Sequence, residues 1–152
     1  TGRTIDIWPG ECHVHAGITS SDLDSSLAQH SDHEFLIHPE CGCGSNLLYS
    51  SHKDNISHPE FLSTEGMVDH VKNSSNDKFI IATETGILHR LKKEAPDKTC
   101  LPLKNDAICK YMKMINLEKV RFSLLNMVHE VKVDEYIASK SRSAIQKMLD
   151  IS

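Results

Sequence analysis

Short apolar runs alternate with helical spacing along the first hundred residues. The runs that predict strands lie at 4–8, 35–37, 61–62 and 79–82. Between them, leucine, valine and isoleucine recur three or four positions apart, which predicts helices from about 20, 64 and 85. Strands that alternate with helices are typical of a parallel sheet covered by helices. We therefore expect an α/β fold, a three-layer α/β/α domain with a short, Rossmann-like parallel sheet.

The pattern changes after residue 100. Leu117, Val120 and Leu124 follow helical spacing, and Asp134 can cap a last helix that extends to Leu149. We predict one α/β/α domain over 1–100, followed by a cysteine loop and C-terminal helices over 101–152. A polar stretch over 50–59 predicts a surface loop.

Reactive side chains follow each of the four predicted strands. The groups are 10–15, 38–41, 63–64 and 83–84. Ligands bind outside the carboxyl ends of parallel strands, where loops and helix N-termini converge. The four groups should therefore face one crevice.

Composition narrows the functional classes. The chain has 152 residues and a net charge of −4, and its 17 Lys and Arg are scattered. That argues against nucleic acid as a partner. No apolar run is long enough to cross a membrane. The segment 1–3 has neither an initiator Met nor the features of a signal peptide, so we expect it to come from the middle of a longer protein.

Each reactive residue also has an ordinary structural explanation. Cys12 could be a small buried apolar residue, and His15 a core histidine. His38 and Glu40 could be a solvated loop pair. Ser63 is expected to cap a helix whatever else it does.

The neighbouring residues indicate different roles for the remaining cysteines. The spacing of Cys41 and Cys43 is unlike that of a zinc site, and packing is favoured for Cys43 and Cys100. Cys109 precedes Lys110, which favours a thiolate and hence ligation, although packing stays open. The other histidines are expected mostly at the surface: His30, His33, His52, His58, His70, His89 and His129.

Several motifs together resemble the quinolinate synthase family, the A protein of bacterial NAD biosynthesis. In order they are Trp-Pro-Gly-Glu-Cys-His-Val-His (8–15), His-Pro-Glu-Cys (38–41), Leu-Ser-Thr-Glu-Gly-Met (62–67), Ala-Thr-Glu-Thr-Gly-Ile-Leu-His (82–89), Cys-Lys-Tyr-Met-Lys-Met (109–114), and the closing segments 130–134 and 148–151. The resemblance covers the whole chain.

The resemblance implies a reaction and a cofactor. Members condense iminoaspartate, supplied by L-aspartate oxidase, with dihydroxyacetone phosphate to give quinolinate, water and phosphate. They hold a 4Fe–4S cluster by three cysteines, which leaves one iron open as a Lewis acid. Three similar α/β/α domains surround a pseudo-threefold axis. A cytoplasmic enzyme without nucleic-acid or membrane partners is implied.

The resemblance also implies residue roles. It implies that Cys12 and Cys109 are cluster ligands. The residues implied to be catalytic are His15, His38 and Glu40, and those implied to bind substrate are Ser63 and Thr64. Glu84 would lie near the cavity rim, and Cys41 would lie beside the site without binding the cluster. No candidate for the third cysteine ligand is found, so we expect either that this chain is a C-terminal fragment, inactive alone, or that another copy or chain provides the rest.

Two rival functions stay open. His13 and His15 would point to one face of a strand, as in a mononuclear zinc or iron hydrolase, although such a barrel usually needs about 250 residues. The chain could also be a non-catalytic α/β binding module in which all cysteines are structural.

Overall fold

The computed structural model describes residues 2, 4–6, 9–44 and 59–151. It divides into two compact units, Thr1–Lys110 and Tyr111–Ser152. The sequence predicts the boundary between the two units at residue 100, which lies before the boundary in the structure.

The first unit is built on a four-stranded parallel sheet. Its strands are β1 (Glu34–Ile37), β2 (Glu60–Phe61), β3 (Lys78–Ala82) and β4 (Thr99–Pro102), in the order β2-β1-β3-β4. Its helices are α1 (His13–Ala16), α2 (Ser20–Gln29), α3 (Thr64–Asn73) and α4 (Ile87–Glu94). A further helical turn lies at 42–44. The predicted parallel α/β fold is confirmed.

Alternation along the central strands separates two cores. Ile80 and Ala82 pack with residues of α1 and α2, whereas Phe79 and Ile81 pack with residues of α3 and α4. Successive side chains of a strand point to opposite faces, and both faces are covered here, which explains why β3 is apolar almost throughout. The layers are therefore helix, sheet and helix.

Local capping fixes where two of these helices begin. Thr19 and Asp22 form a capping box at the start of α2. The Ser63 hydroxyl accepts a hydrogen bond from the Gly66 N–H at the start of α3. Each cap satisfies a backbone N–H that has no partner within the helix.

Two strand predictions need correction. The described part of the predicted first strand, residues 4–6, is exposed and is not in a strand; residues 7 and 8 lie outside the described residues. The strand β4 was not predicted. It has four residues, ends at Pro102 and lies at the edge of the sheet, so its apolar signal is weak. The loop predicted over 50–59 falls almost wholly outside the described residues, as do His52 and His58.

The second unit consists of helices. A 3-10 turn (Met112–Met114) precedes α5 (Leu117–Asn126) and α6 (Glu135–Leu149). Asn116 and Asp134 cap the two α-helices through their side chains. Both predicted helices are confirmed, and neither contains a buried residue. In the part of the chain that the structure describes, no helix combines the length and apolar character needed to cross a membrane.

Candidate functional site

Three of the predicted site residues meet at the carboxyl edge of the sheet. Cys12 is the N-cap residue of α1, His15 lies within α1, and Glu40 follows β1. Their donor atoms all lie within 4.8 Å of one another. We call these three residues the Cys-His-Glu group.

His15 is held from both sides. Its Nδ1 lies 3.2 Å from Glu40 Oε2, and its Nε2 lies 2.9 Å from Thr83 Oγ1. An ionised carboxylate only accepts hydrogen bonds, so in neutral His15 the proton is on Nδ1 and the Thr83 hydroxyl donates to Nε2. The His15 side chain is 11% exposed, whereas that of Glu40 is 63% exposed. The Cys-His-Glu group is therefore buried at His15 and exposed to solvent at Glu40.

His38 stacks on His15. The two ring centroids are 4.1 Å apart, and the planes differ by 10°. Burial lowers the pKa of His38 below 6.5, the charge of His15 lowers it further, and Glu40 opposes the change. The Glu40 backbone N–H donates to His38 Nδ1 at 3.3 Å, so the neutral ring carries its proton on Nε2. His38 is thus arranged as a neutral N–H donor.

Glu84 holds two backbone segments together through hydrogen bonds, which the sequence did not predict. One carboxylate oxygen accepts from the Gly86 N–H at 2.7 Å, and the other accepts from the Cys109 N–H at 3.3 Å. The Thr85 N–H also donates to the Ala107 carbonyl oxygen at 2.9 Å. These bonds fasten the Cys109 loop to the end of β3, next to Thr83.

The five cysteines fall into distinct settings. Cys41 and Cys43 are buried in the core and form a disulfide. Cys100 lies in β4, where burial raises the pKa of its thiol to about 11. Cys12 and Cys109 are half-buried free thiols that pack against the same core. The two cysteines expected to be ligands are therefore the free thiols at the site edge of the sheet.

Ser63 and Thr64 begin α3 at the same edge. The Leu62 N–H donates to the Ile37 carbonyl oxygen, which places the end of β2 beside the end of β1. Both residues are exposed, and within the described ranges no hydrogen bond or ion pair joins them to His15, His38 or Glu40. They form a separate part of the edge, with the helix N-terminus free to face an anion.

The structure does not support the His13 and His15 ligand pair of the rival hydrolase hypothesis. Both residues lie in helix α1 and not in a strand, so their side chains diverge; His15 is buried and His13 is exposed. The hydrolase hypothesis therefore loses its ligand pair.

A cleft of about 540 Å³ opens beside the Cys-His-Glu group. Gly10, Glu11, Cys12 and Glu40 line it. Thr83, the buried partner of His15, belongs to the predicted group 83–84, but no role was predicted for it. Its position at a strand end indicated the edge of the sheet and not the contact with His15.

Comparison with known proteins identifies the family of the chain. The Quinolinate synthetase A protein family matches residues 1–150. The chain is 52% identical to a quinolinate synthase of Thermus thermophilus over 151 residues, covering 99% of this chain and 47% of that protein. It is 53% identical to one of Pyrobaculum aerophilum, covering 100% of this chain and 49% of that protein, and 38% identical to one of Mycobacterium tuberculosis, covering 99% and 44%. The chain thus spans about half the length of the curated relatives it matches, and it belongs to the Quinolinate synthetase A protein family.

Proposed function

We propose that the full-length protein is a quinolinate synthase of NAD biosynthesis. It would act in the cytoplasm and condense iminoaspartate, supplied by L-aspartate oxidase, with dihydroxyacetone phosphate to give quinolinate, water and phosphate. The observation that carries this proposal is the Cys-His-Glu group at the carboxyl edge of the sheet in a member of this family.

The cysteine settings suit a 4Fe–4S cluster. Cys12 and Cys109 would supply two thiolates, while the disulfide withholds Cys41 and Cys43, and burial keeps the Cys100 thiol protonated. A chain of contacts supports the pairing: Cys12 adjoins His15, His15 bonds to Thr83, and Glu84 holds Cys109. The third thiolate would come from the part of the full-length protein that this chain does not span. When bound, such a cluster supplies an open iron as a Lewis acid for a substrate oxygen.

The other residues would handle protons and charge. One carboxylate oxygen of Glu40 accepts a hydrogen bond from His15, and the side chain is exposed. Glu40 can therefore accept a proton from a substrate in the cleft. The Nε2–H of neutral His38 can donate to a carbonyl oxygen. Ser63 and Thr64, with the N–H groups that begin α3, would bind a carboxylate or phosphate.

Anaerobic reconstitution of the full-length protein tests the cofactor. Iron and acid-labile sulfide should appear in equal amounts, and Cys12→Ser and Cys109→Ser should each remove most of both. Cys100→Ser is the matched control, because partial burial raises the pKa of this half-buried thiol to about 11 and keeps it protonated. Normal cluster content in both ligand variants would overturn the assignment of these two cysteines.

A further inference from the structure

We infer that Cys12, His15 and Glu40 also form a mononuclear zinc site in protein that lacks its cluster. The proposed quinolinate synthase activity requires no such site. The inference rests on the geometry of the Cys-His-Glu group and on the buried hydroxyl behind it.

The spacing of the donor atoms suits one small ion. A tetrahedral Zn²⁺ with N and O ligands at about 2.0–2.1 Å has those ligand atoms roughly 3.3–3.4 Å apart. His15 Nδ1 and Glu40 Oε2 are already 3.2 Å apart. The third donor, Cys12 Sγ, completes a set whose members lie within 4.8 Å of one another. A small side-chain rotation would bring all three to bonding distance.

The chemistry of the donors also favours zinc. Thiolate, imidazole and carboxylate are the three side-chain ligand types of protein zinc sites. One thiolate and one carboxylate would neutralise the two charges of the ion. Three protein ligands leave the fourth position to water, and the cleft beside Cys12 and Glu40 has room for it.

Thr83 supplies the outer support that metal-binding histidines usually have. Its side chain is buried, and its hydroxyl lies 2.9 Å from His15 Nε2. When zinc takes the Nδ1 lone pair, the proton of the neutral ring moves to Nε2 and is donated to Thr83 Oγ1. The hydroxyl can rotate between donating and accepting, so the same contact serves both states. Only the Cys12 thiol then needs to lose a proton for zinc to bind.

One consequence concerns cluster assembly. The Cys12 thiolate cannot be fully engaged by zinc and by a 4Fe–4S cluster at once. Zinc bound to the Cys-His-Glu group would therefore compete with cluster loading, and Cys109 would take no part in holding it.

Zinc titration of the metal-free full-length protein, in competition with a chromophoric chelator, tests the site. We expect one tight ion per chain, and an intense thiolate-to-metal band when Co²⁺ replaces zinc. Cys12→Ser, His15→Gln and Glu40→Gln should each weaken zinc binding by at least about tenfold, and Thr83→Val by about tenfold, with Thr83→Ser restoring it. The matched control, Cys109→Ser, should bind zinc within about threefold of the parent protein.

The outcomes separate this inference from the proposed function. Equal weakening by Cys109→Ser and Cys12→Ser would show that the cluster cysteines hold the zinc, and unchanged binding in Glu40→Gln would also overturn the inference. Cluster analysis of the same variants tests the proposed function independently: Cys109→Ser should lose the cluster and keep zinc, whereas Glu40→Gln should keep the cluster and lose zinc. Circular dichroism of each variant verifies that it is folded.

Discussion

The two ends of the sheet carry the same kind of pair, a histidine against a glutamate, in opposite settings. At the amino end, His70 Nε2 lies 2.7 Å from Glu34 Oε1, and the Glu34 side chain is 12% exposed. At the carboxyl end, His15 is the buried partner, and Glu40 is 63% exposed. In one pair the carboxylate is enclosed, and in the other it faces solvent.

The neighbours of each pair extend the contrast. The second oxygen of Glu34 accepts a hydrogen bond from Asn76, and close by Lys78 donates to Asp32 at 2.6 Å. These contacts give both oxygens of the Glu34 carboxylate a hydrogen-bond partner, although Glu34, Asn76 and Lys78 also line a cleft of about 630 Å³. At the carboxyl end, Cys12 and Glu40 also line a cleft, but among the described residues only one Glu40 carboxylate oxygen has a hydrogen-bond partner. Identical residue types therefore stabilise the fold where their hydrogen-bonding capacity is filled, and they stay available for chemistry where it is not.

The largest expected difference in stability is between the two glutamates. Glu34→Ala would leave His70 and Asn76 without their carboxylate, and we expect it to lower the free energy of unfolding by about 2 kcal/mol. Glu40→Ala removes an exposed side chain and should change it by about 0.5 kcal/mol or less. Urea unfolding followed by circular dichroism measures both. Equal losses of unfolding free energy in the two variants would contradict the contrast between the two ends of the sheet.

Thr83 should matter next most. Thr83→Val keeps the shape but leaves the buried Nε2 of His15 without a partner, so we expect a loss of about 1–2 kcal/mol in the free energy of unfolding. Thr83→Ser loses a methyl group but keeps the hydroxyl. The ¹⁵N shifts of the His15 ring in metal-free protein therefore separate the two. Nδ1 should stay protonated in both variants because Glu40 accepts its hydrogen bond, whereas the Nε2 shift should keep its parent value in the serine variant and move in the valine variant, which has lost the hydroxyl donor. Identical ring shifts in all three proteins would contradict the assigned contact.

The smallest effect should appear in acid. Hydrogen bonds from Lys78 and then from His33 hold the pKa of Asp32 at about 2, below the ordinary value of 3.8. A lowered carboxyl pKa contributes stability that is present above pH ~4 and is lost as the pH falls through about 2. The difference in unfolding free energy between the parent and Asp32→Asn should therefore shrink over that window. A difference that stays constant over this range would exclude Asp32 as its source. Lys78→Met removes the main hydrogen-bond partner of Asp32, so it should make the unfolding free energy less dependent on pH over the same range.

Much of the fold was predictable because it depends on local patterns. Phe79, Ile80 and Ile81 are apolar in succession, which indicated a strand covered on both faces, and Asp134 marked the start of the last helix. The strand β4 was missed because four residues ending at Pro102 give little signal without their partner β3. The predicted strand over 4–8 failed in its described part because β-forming residues also need a neighbour to pair with.

The site was predictable in position but not in detail. Strand ends located Glu40 and Thr83 at one edge, because parallel strands place their carboxyl ends together. The rival pair of His13 and His15 assumed a strand period where the structure has a helical turn, so the two histidines do not share one face. The Thr83 contact with His15 joins residues 68 positions apart in the chain, and no local pattern reports such a pairing.

The central claim is that the carboxyl end of the sheet is the reactive end. Its most direct test compares quinolinate formation by full-length Glu40→Gln and Glu34→Gln, each with matched iron and sulfide content. We predict that Glu40→Gln loses at least about 100-fold in kcat with its cluster intact, whereas Glu34→Gln stays within a few-fold of the parent per folded molecule. Full activity in Glu40→Gln, or an equal loss in both variants, would contradict the account.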